Sequence, residues 1–332
     1  MKISSRFLFL PLLAAALVVV MGATLPAGAQ PYPSRPISII VPYPAGGVTD
    51  TLVRLVAERM REKLGQPVLT ENMGGASGTV GAARVSRAAP DGYTLLLGNS
   101  EAFVLTPATM SSLPYDPLKA FAPIAMLPSY PFILVTTNNV PASNLKELIG
   151  WMKGKSDKVL QGTVGTGTMQ QLCGIEIQNK IDAKWQLIPY RGGTPAIQDM
   201  LAGQINFMCT ATGSFLPLVH AGQIKAYAVT APKRIAAAPE IPTVDEAGLP
   251  GFYVGVWNAL WVPTGTPKDI VDKLNAAVNA ALSDPAFQKK MVELGLDMPP
   301  DAERTPEGLA AKRDADDAKW WPVIKAAGLK AE

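Results

Sequence analysis

The chain has 332 residues, a formal net charge of +3, 48% hydrophobic residues, two cysteines and one histidine. Its basic residues are scattered along the sequence, which argues against a nucleic-acid-binding protein. A single histidine and two distant cysteines offer little to a hydrolase or to a metal site, so we expect a protein that is not an enzyme and holds no metal.

The first 29 residues have the pattern of an export signal. Lys2 and Arg6 precede an apolar run that starts at Phe7, and Ala27-Gly28-Ala29 supplies the small residues that a signal peptidase recognises. We predict cleavage after Ala29. A retained membrane anchor is the alternative, but Pro11 interrupts the apolar run.

The mature chain alternates strand and helix patterns, which predicts α/β layers with mainly parallel sheets. The first strand, Ile37–Val41, is apolar on both faces, and a helix is expected from Thr51. Gly46 and Gly47 lie in the turn between them, and Thr49 or Asp50 is the expected helix cap. Such a turn favours anion binding at the helix N-terminus, although tight strand-to-helix turns also need glycine for geometry alone.

Polar residues follow the next strands in the same way. Met73–Gly81 is a glycine-rich turn containing Ser77, and Asn99 and Ser100 follow the third strand, Tyr93–Leu97. The carboxyl ends of parallel strands share one edge, so we expect these side chains at the rim that carries the first turn. The glycines match neither a dinucleotide fingerprint nor a phosphate loop, so we expect no cofactor.

An extended, proline-containing segment, Phe121–Val135, predicts a crossing into a second lobe. There, Gly165-Thr166-Gly167-Thr168 repeats the design of the first turn, and Arg191 and Thr212 follow two further strands. We predict two lobes facing each other across a ligand-binding cleft. The predicted first lobe comprises residues 30–127 and 229–332, and the second comprises residues 128–228.

Several residues admit two interpretations from sequence. Tyr43 and Phe103 are pocket walls or ordinary core, and Arg191 either pairs with a carboxylate or ties down its own turn. An oxidising compartment allows Cys173 and Cys209 to pair, but their apolar surroundings are typical of buried free thiols.

Motifs spread over nearly the whole mature chain carry a family resemblance. They are Pro44–Asp50, Asn72–Gly81, Pro90–Thr94, Gly165–Thr168, Pro189–Gly192, Asp199–Gln204, Pro242–Pro250, Trp257 and Pro263–Pro267. In this order and spacing the sequence resembles the periplasmic solute-binding receptors of the tripartite tricarboxylate transporter family, the Bordetella uptake type.

The resemblance implies a monomeric, two-lobed Venus-flytrap protein (type II) with two crossing strands, which captures a dicarboxylate with ordered waters and delivers it to a membrane permease. By position it implies ligand contacts at Ala45, Gly46, Gly47 and Asp50 in the first lobe and at Thr166, Gly167 and Thr168 in the second. Gln171 and Arg191 depart from the histidine and lysine of many relatives. A sensor that presents its closed form to a membrane kinase is the alternative function.

Overall fold

The computed structural model describes residues 31–43, 45–75, 78–110, 112–165 and 167–330. The chain divides into two units, residues 1–34 and 35–332, and every helix and strand described below belongs to the second. The predicted signal peptide, residues 1–29, lies outside the described residues. Within the described part of the chain, no helix has the length and apolar character needed to cross a membrane.

Strands and helices alternate along the described chain. The strands are β1 (Ile37–Val41), β2 (Val68–Asn72), β3 (Thr94–Asn99), β4 (Phe121–Thr137), β5 (Leu160–Thr163), β6 (Gln186–Pro189), β7 (Phe207–Ala211), β8 (Ile224–Val229) and β9 (Gly255–Pro263). The helices are α1 (Val48–Leu64), α2 (Thr79–Ser86), α3 (Thr106–Thr109), α4 (Leu145–Gly154), α5 (Met169–Ile181), α6 (Gly193–Leu201), α7 (Thr212–His220), α8 (Lys268–Leu282), α9 (Pro285–Glu293) and α10 (Pro306–Ala326). A π-helical segment, Glu101–Leu105, precedes α3.

The strands form two mixed sheets that share β4. In the first sheet the order is β2-β1-β3-β9-β4, with β1 parallel to β2 and β3, and β9 antiparallel to both its neighbours. In the second sheet β5 lies between β6 and β7 and is parallel to both, while β4 is antiparallel to β7 and β8. We call the parts built on these sheets the first lobe and the second lobe.

The long strand β4 passes from one sheet to the other. Its residues 121–131 pair with β9, and its residues 132–137 pair with β7 and β8. Prolines at positions 123, 128 and 131 fall in the first part, where the register with β9 shifts twice. The predicted crossing segment is therefore a continuous strand, and the predicted two-lobed α/β fold is confirmed.

Buried apolar side chains explain why the first sheet forms as predicted. Ile37, Ile39 and Ile40 of β1 are fully buried, as expected for a strand covered on both faces. Trp257 and Trp261 of β9 are buried, and the ring of Phe103 stacks on Trp261 with centroids 4.1 Å apart. Phe103 and Trp261 belong to the core, so the expectation of ordinary core applies to the ring of Phe103.

The two cysteines correct one expectation. Apolar surroundings favoured free thiols, but Cys173 of α5 and Cys209 of β7 form a disulfide, with their Cα atoms 6.2 Å apart. Both residues are buried because α5 packs against β7, and the same packing brings the two sulfur atoms together. The disulfide thus fixes α5 to the second sheet.

Candidate functional site

The first-lobe loop, residues 43–50, connects β1 to α1 at the carboxyl edge of the first sheet. The helix begins at Val48, three residues before the predicted start, and Gly47 is its N-cap residue with φ −75°. No side chain caps the helix, so the prediction that Thr49 or Asp50 is the cap was wrong. Because Gly47 has no side chain that could accept a hydrogen bond, the first N–H groups of α1 have no capping acceptor.

Asp50 instead acts as an internal anchor of the first-lobe loop. Its Oδ2 accepts hydrogen bonds from the backbone N–H of Gly46 at 2.9 Å and from Nε of Arg54 at 3.0 Å. Its Oδ1 accepts one from Nδ2 of Asn72 at 2.9 Å, and the same Nδ2 is 3.1 Å from the carbonyl oxygen of Tyr43. The Asp50 carboxylate and the Asn72 amide together therefore tie both ends of the loop to β2.

The charge of Asp50 is well compensated. Burial alone would raise the pKa of this carboxyl, but hydrogen bonds from Arg54, Gly46 and Asn72 outweigh it and lower the pKa to about 2. Asp50 is 4% exposed and ion-paired with Arg54. It is thus ionised at neutral pH and already engaged with groups of the protein.

The two glycines of the loop differ. Gly46 has φ +89°, a backbone conformation that strains residues with a side chain, whereas Gly47 has an ordinary φ. A Cβ atom built at either position meets no atom within 4 Å. Ala45, Gly46 and Gly47 are all exposed, so the backbone of this loop faces open space.

The end of β3 contributes buried polar groups beside the first-lobe loop. Asn99 is 2% exposed and its Oδ1 accepts the N–H of Ala102 at 2.9 Å. The hydroxyl groups of Ser100 and Tyr43 are buried and have no hydrogen-bond partner among the described residues. Burial, followed by the nearby charge of Glu101, raises the pKa of Tyr43 well above its usual value, so its hydroxyl remains a donor.

The second-lobe loop, residues 164–168, precedes α5. The N–H of Gly167 donates to Oε1 of Gln171 at 2.7 Å. Thr168 is the N-cap residue of α5, and its hydroxyl donates to the carbonyl of Gly165 at 3.0 Å. Gln171 therefore satisfies one of the loop's own donors.

Glu101 links the two lobes at this place. It follows Ser100 in the first lobe, and its Oε1 accepts the N–H of Met169, the first residue of α5, at 3.2 Å. Burial raises the pKa values of Glu101, Tyr43 and Tyr130, and the charge of Glu101 raises those of the two tyrosines further. The sequence prediction missed Glu101, although a carboxylate directly after Asn99 and Ser100 was a signal for it.

The remaining predicted residues are dispersed. Arg191 is exposed and makes no ion pair or hydrogen bond with the described residues. Thr212 is fully buried, and its hydroxyl donates to the carbonyl of Gly295 at 3.2 Å, which is a second contact between the lobes. Ser77 and Thr166 lie outside the described residues.

A cavity of about 500 Å3 lies beside β4 and β9. Its lining includes Tyr130, Met169, Trp257, Asp297, Asp316 and Trp320, and none of the predicted site residues that the structure describes. Burial raises the pKa of Asp297 to about 6. In the described part of the chain, no group of three His, Cys, Asp or Glu side chains is placed to hold a metal ion.

Comparison with known proteins identifies related chains. A family profile described as "Tripartite tricarboxylate transporter family receptor" matches residues 52–329. A protein of Agrobacterium vitis, described as a UPF0065 protein in the TAR-I ttuE-ttuC' intergenic region, is 38% identical over 98% of this chain and 93% of its own length.

Two solved structures share the fold over nearly the same length. MatC (Rpa3494) from Rhodopseudomonas palustris with bound malate is 35% identical, with a TM-score of 0.73 over 88% of this chain and 100% of that one. Rpa4515 from R. palustris with adipate is 29% identical, with a TM-score of 0.77 over 90% of this chain and 99% of that one. The fold predicted for this chain is thus one that holds small diacids in two other proteins.

Proposed function

Because the chain belongs to the receptor family of the tripartite tricarboxylate transporters, we propose that it captures a small dicarboxylate between its lobes and delivers it to a membrane permease. Members of this family and the structural relatives are solute-binding proteins rather than enzymes. The proposal assigns the protein to the periplasm as a monomer, with a cleaved signal peptide and with the lobe boundaries predicted from the sequence.

The observation that carries the proposal is the exposed backbone of the first-lobe loop at the N-terminus of α1. Glycine at the N-cap and at position 46 places no side chain of its own over the loop. The N–H of Gly46 already donates to Asp50, so the N–H groups offered to a ligand are those that follow it at the start of α1. A helix N-terminus attracts negative charge, and a carboxylate fits a cradle of N–H groups. Asp50 holds this cradle from within, which supports a binding role for the loop backbone rather than for the Asp50 carboxylate.

Energetic considerations require contributions from both lobes. A micromolar ligand needs about 8 kcal/mol of binding free energy, whereas one helix terminus contributes roughly 0.3–2 kcal/mol and one charge-assisted hydrogen bond about 1.5–3 kcal/mol. Several groups must therefore converge. We assign this role to the first-lobe loop, to Tyr43, Asn99 and Ser100, and to the second-lobe loop, with Ser77, Thr166, Arg191 and Thr212 as further candidates.

The ligand class follows from the relatives and from this geometry together. Malate and adipate occupy two related proteins, and both are dicarboxylates of four to six carbons. One carboxylate would bind at the first-lobe loop with ordered waters, which make good bridges at little cost. Closing the lobes would then bring the second-lobe loop onto the far end, so affinity and closure are coupled.

The proposal is tested with a panel of aliphatic and aromatic dicarboxylates, screened by thermal shift and confirmed by calorimetry. At a ligand concentration a hundredfold above Kd, binding stabilises the folded state by about 2.7 kcal/mol, which raises the melting temperature by several degrees. Sugars and cationic amino acids are the control compounds. A melting temperature that responds to those compounds and to no dicarboxylate would overturn the proposed ligand class.

A further inference from the structure

Glu101 places a carboxylate where the two lobes meet. It begins the π-helical segment after β3, and it reaches across to the N–H of Met169 at the start of α5. Its second oxygen, Oε2, accepts no hydrogen bond from the described residues. The Glu101 side chain is partly exposed, and Oε2 is not among the buried atoms that lack a partner, so this acceptor is open to a donor supplied by a ligand.

The groups around Glu101 are hydroxyls rather than cations. Its charge acts on Tyr43 and Tyr130, and Ser100 precedes it in the chain. The hydroxyls of Tyr43 and Ser100 are buried without partners among the described residues. Glu101 takes part in no ion pair with a described Lys, Arg or His. The negative charge of Glu101 is therefore balanced by one backbone N–H and not by a salt bridge.

The second-lobe donors nearest to Glu101 are already engaged. Met169 N–H donates to Glu101, Gly167 N–H donates to Gln171, and the Thr168 hydroxyl donates to Gly165. A ligand carboxylate placed there would find these donors occupied and a like charge beside it. A ligand ammonium or hydroxyl would instead meet a carboxylate oxygen to which no described residue donates.

We propose that Glu101 is a specificity-determining residue that selects diacids carrying a hydrogen-bond donor, an ammonium or a hydroxyl group, on the carbon chain. The inference rests on the proposed function, because it assumes that a diacid occupies the cleft. Within that class, Glu101 discriminates between ligands that have the same two carboxylates and differ in a single substituent. The hydroxyls of Tyr43 and Ser100, which have no partner among the described residues, accept a hydrogen bond from the same substituent or donate one to it.

The test compares matched ligands of one chain length: the plain diacid, its 2-hydroxy analogue and its 2-amino analogue, at four, five and six carbons. Calorimetry gives Kd for each on the wild-type protein and on Glu101→Gln. Glutamine keeps an amide oxygen for Met169 N–H and removes the charge. Glu101→Asp keeps the charge and shortens the side chain.

In the wild-type protein, the better of the two substituted ligands should bind about tenfold to a hundredfold more tightly than the plain diacid. Glu101→Gln should remove most of this preference and bind the plain diacid as tightly or more tightly. Glu101→Asp should retain part of the preference. The control variant Glu58→Gln, which removes an exposed charge from α1, should keep the wild-type ratio.

Two failures are distinguishable. If diacids bind and the substituted ligands show no preference in the wild-type protein, or the same preference in Glu101→Gln, the role of Glu101 is refuted and the proposed function stands. If no diacid of any length binds the wild-type protein, the proposed ligand class is refuted and the inference falls with it. If Glu101→Gln does not fold, Glu101→Asp decides: a binding ratio in that variant equal to the wild-type ratio refutes the role of Glu101.

Discussion

The first-lobe loop and the second-lobe loop have the same design and are anchored differently. Each follows a buried parallel strand, contains glycine and leads into a helix N-terminus. The first is held from within by Asp50, a buried carboxylate tied to Arg54 and Asn72. The second is held by Gln171, a neutral amide in its own helix, and that helix receives Glu101 from the opposite lobe.

This difference indicates that the two loops have different parts in binding. A loop whose anchoring groups all belong to one lobe keeps its conformation when the other lobe moves. A helix terminus whose acceptor comes from the other lobe changes its surroundings whenever the lobes move. We therefore assign recognition of the common carboxylate to the first-lobe loop and discrimination among ligands to the junction between Glu101 and the start of α5.

The largest expected effect concerns the covalent anchor of the second lobe. Replacing both Cys173 and Cys209 by alanine should lower the free energy of unfolding by about 2–4 kcal/mol, because the disulfide restricts the unfolded chain across 36 residues. Urea denaturation under oxidising conditions measures this loss. Dithiothreitol should destabilise the wild-type protein similarly and leave the double variant unchanged. A wild-type protein indifferent to reductant would show that the disulfide adds no stability.

The stabilisation that Asp50 gives to the first-lobe loop should depend on pH. The pKa of Asp50 is lowered to about 2 in the folded protein, below its ordinary value, so its contribution to stability is full above about pH 4 and is lost as the pH falls toward 2. Asp50→Asn should cost about 2 kcal/mol at neutral pH. Urea denaturation at pH 7, 4 and 2.5 should show the gap between wild type and variant closing at acid pH.

Asp272→Asn is the matched control for that experiment. Asp272 is an exposed carboxylate of α8 that pairs with Lys268, so its removal should change stability little at any pH. A gap that stayed constant from pH 7 to 2.5 for Asp50→Asn would contradict the role of this carboxylate as a charged anchor.

The adjacent glycines of the first-lobe loop separate binding from folding. Gly47→Val should weaken dicarboxylate binding at least about tenfold while changing stability by less than about 1 kcal/mol, because its φ is ordinary and the space around it is open. Gly46→Ala should cost about 1 kcal/mol of stability because φ is +89°. Calorimetry and urea denaturation give the two quantities. Unchanged affinity in folded Gly47→Val would remove the loop from the site.

The smallest expected effect falls on the second-lobe loop. Gln171→Ala leaves the N–H of Gly167 without its acceptor and should reduce stability by about 1 kcal/mol, with a weaker effect on affinity than Gly47→Val. The exposed Gln198 of α6 provides the control variant, Gln198→Ala. If Gln171→Ala weakened binding more than Gly47→Val did, the assignment of the common carboxylate to the first lobe would have to be reversed.

The sequence was sufficient for the architecture because each strand has a local signature. Ile37–Val41 is apolar on both faces, and the stretch from Phe121 contains prolines, which disfavour a helix and favour an extended segment. Neither feature depends on distant partners. The continuous pairing of β4 with β7, β8 and β9 could not be predicted, since it depends on which distant strands lie on either side.

The sequence predicted the hydrogen-bond and disulfide partners of individual side chains less well than it predicted the fold. The local sequence around Asp50 is typical of a helix cap. Its actual partners are Arg54 and Asn72, and the contact with Asn72 forms because β2 lies beside the loop. Cys173 and Cys209 pair because α5 crosses β7, a tertiary contact that their spacing does not encode. Glu101 was overlooked because its partner, Met169, lies 68 residues away in the other lobe.

The two sheets differ in how far apart their strands lie in the sequence, and this difference predicts an order of folding. The second sheet draws all its strands from one continuous stretch, from residue 132 to Val229, and its disulfide lies within that stretch. The first sheet remains incomplete until β9, beyond residue 254, inserts between β3 and β4. Short-range pairings form sooner than long-range ones, and chains fold from the N-terminal side as they emerge. We therefore expect the second lobe to fold before β9 pairs with β3 and β4 and completes the first sheet.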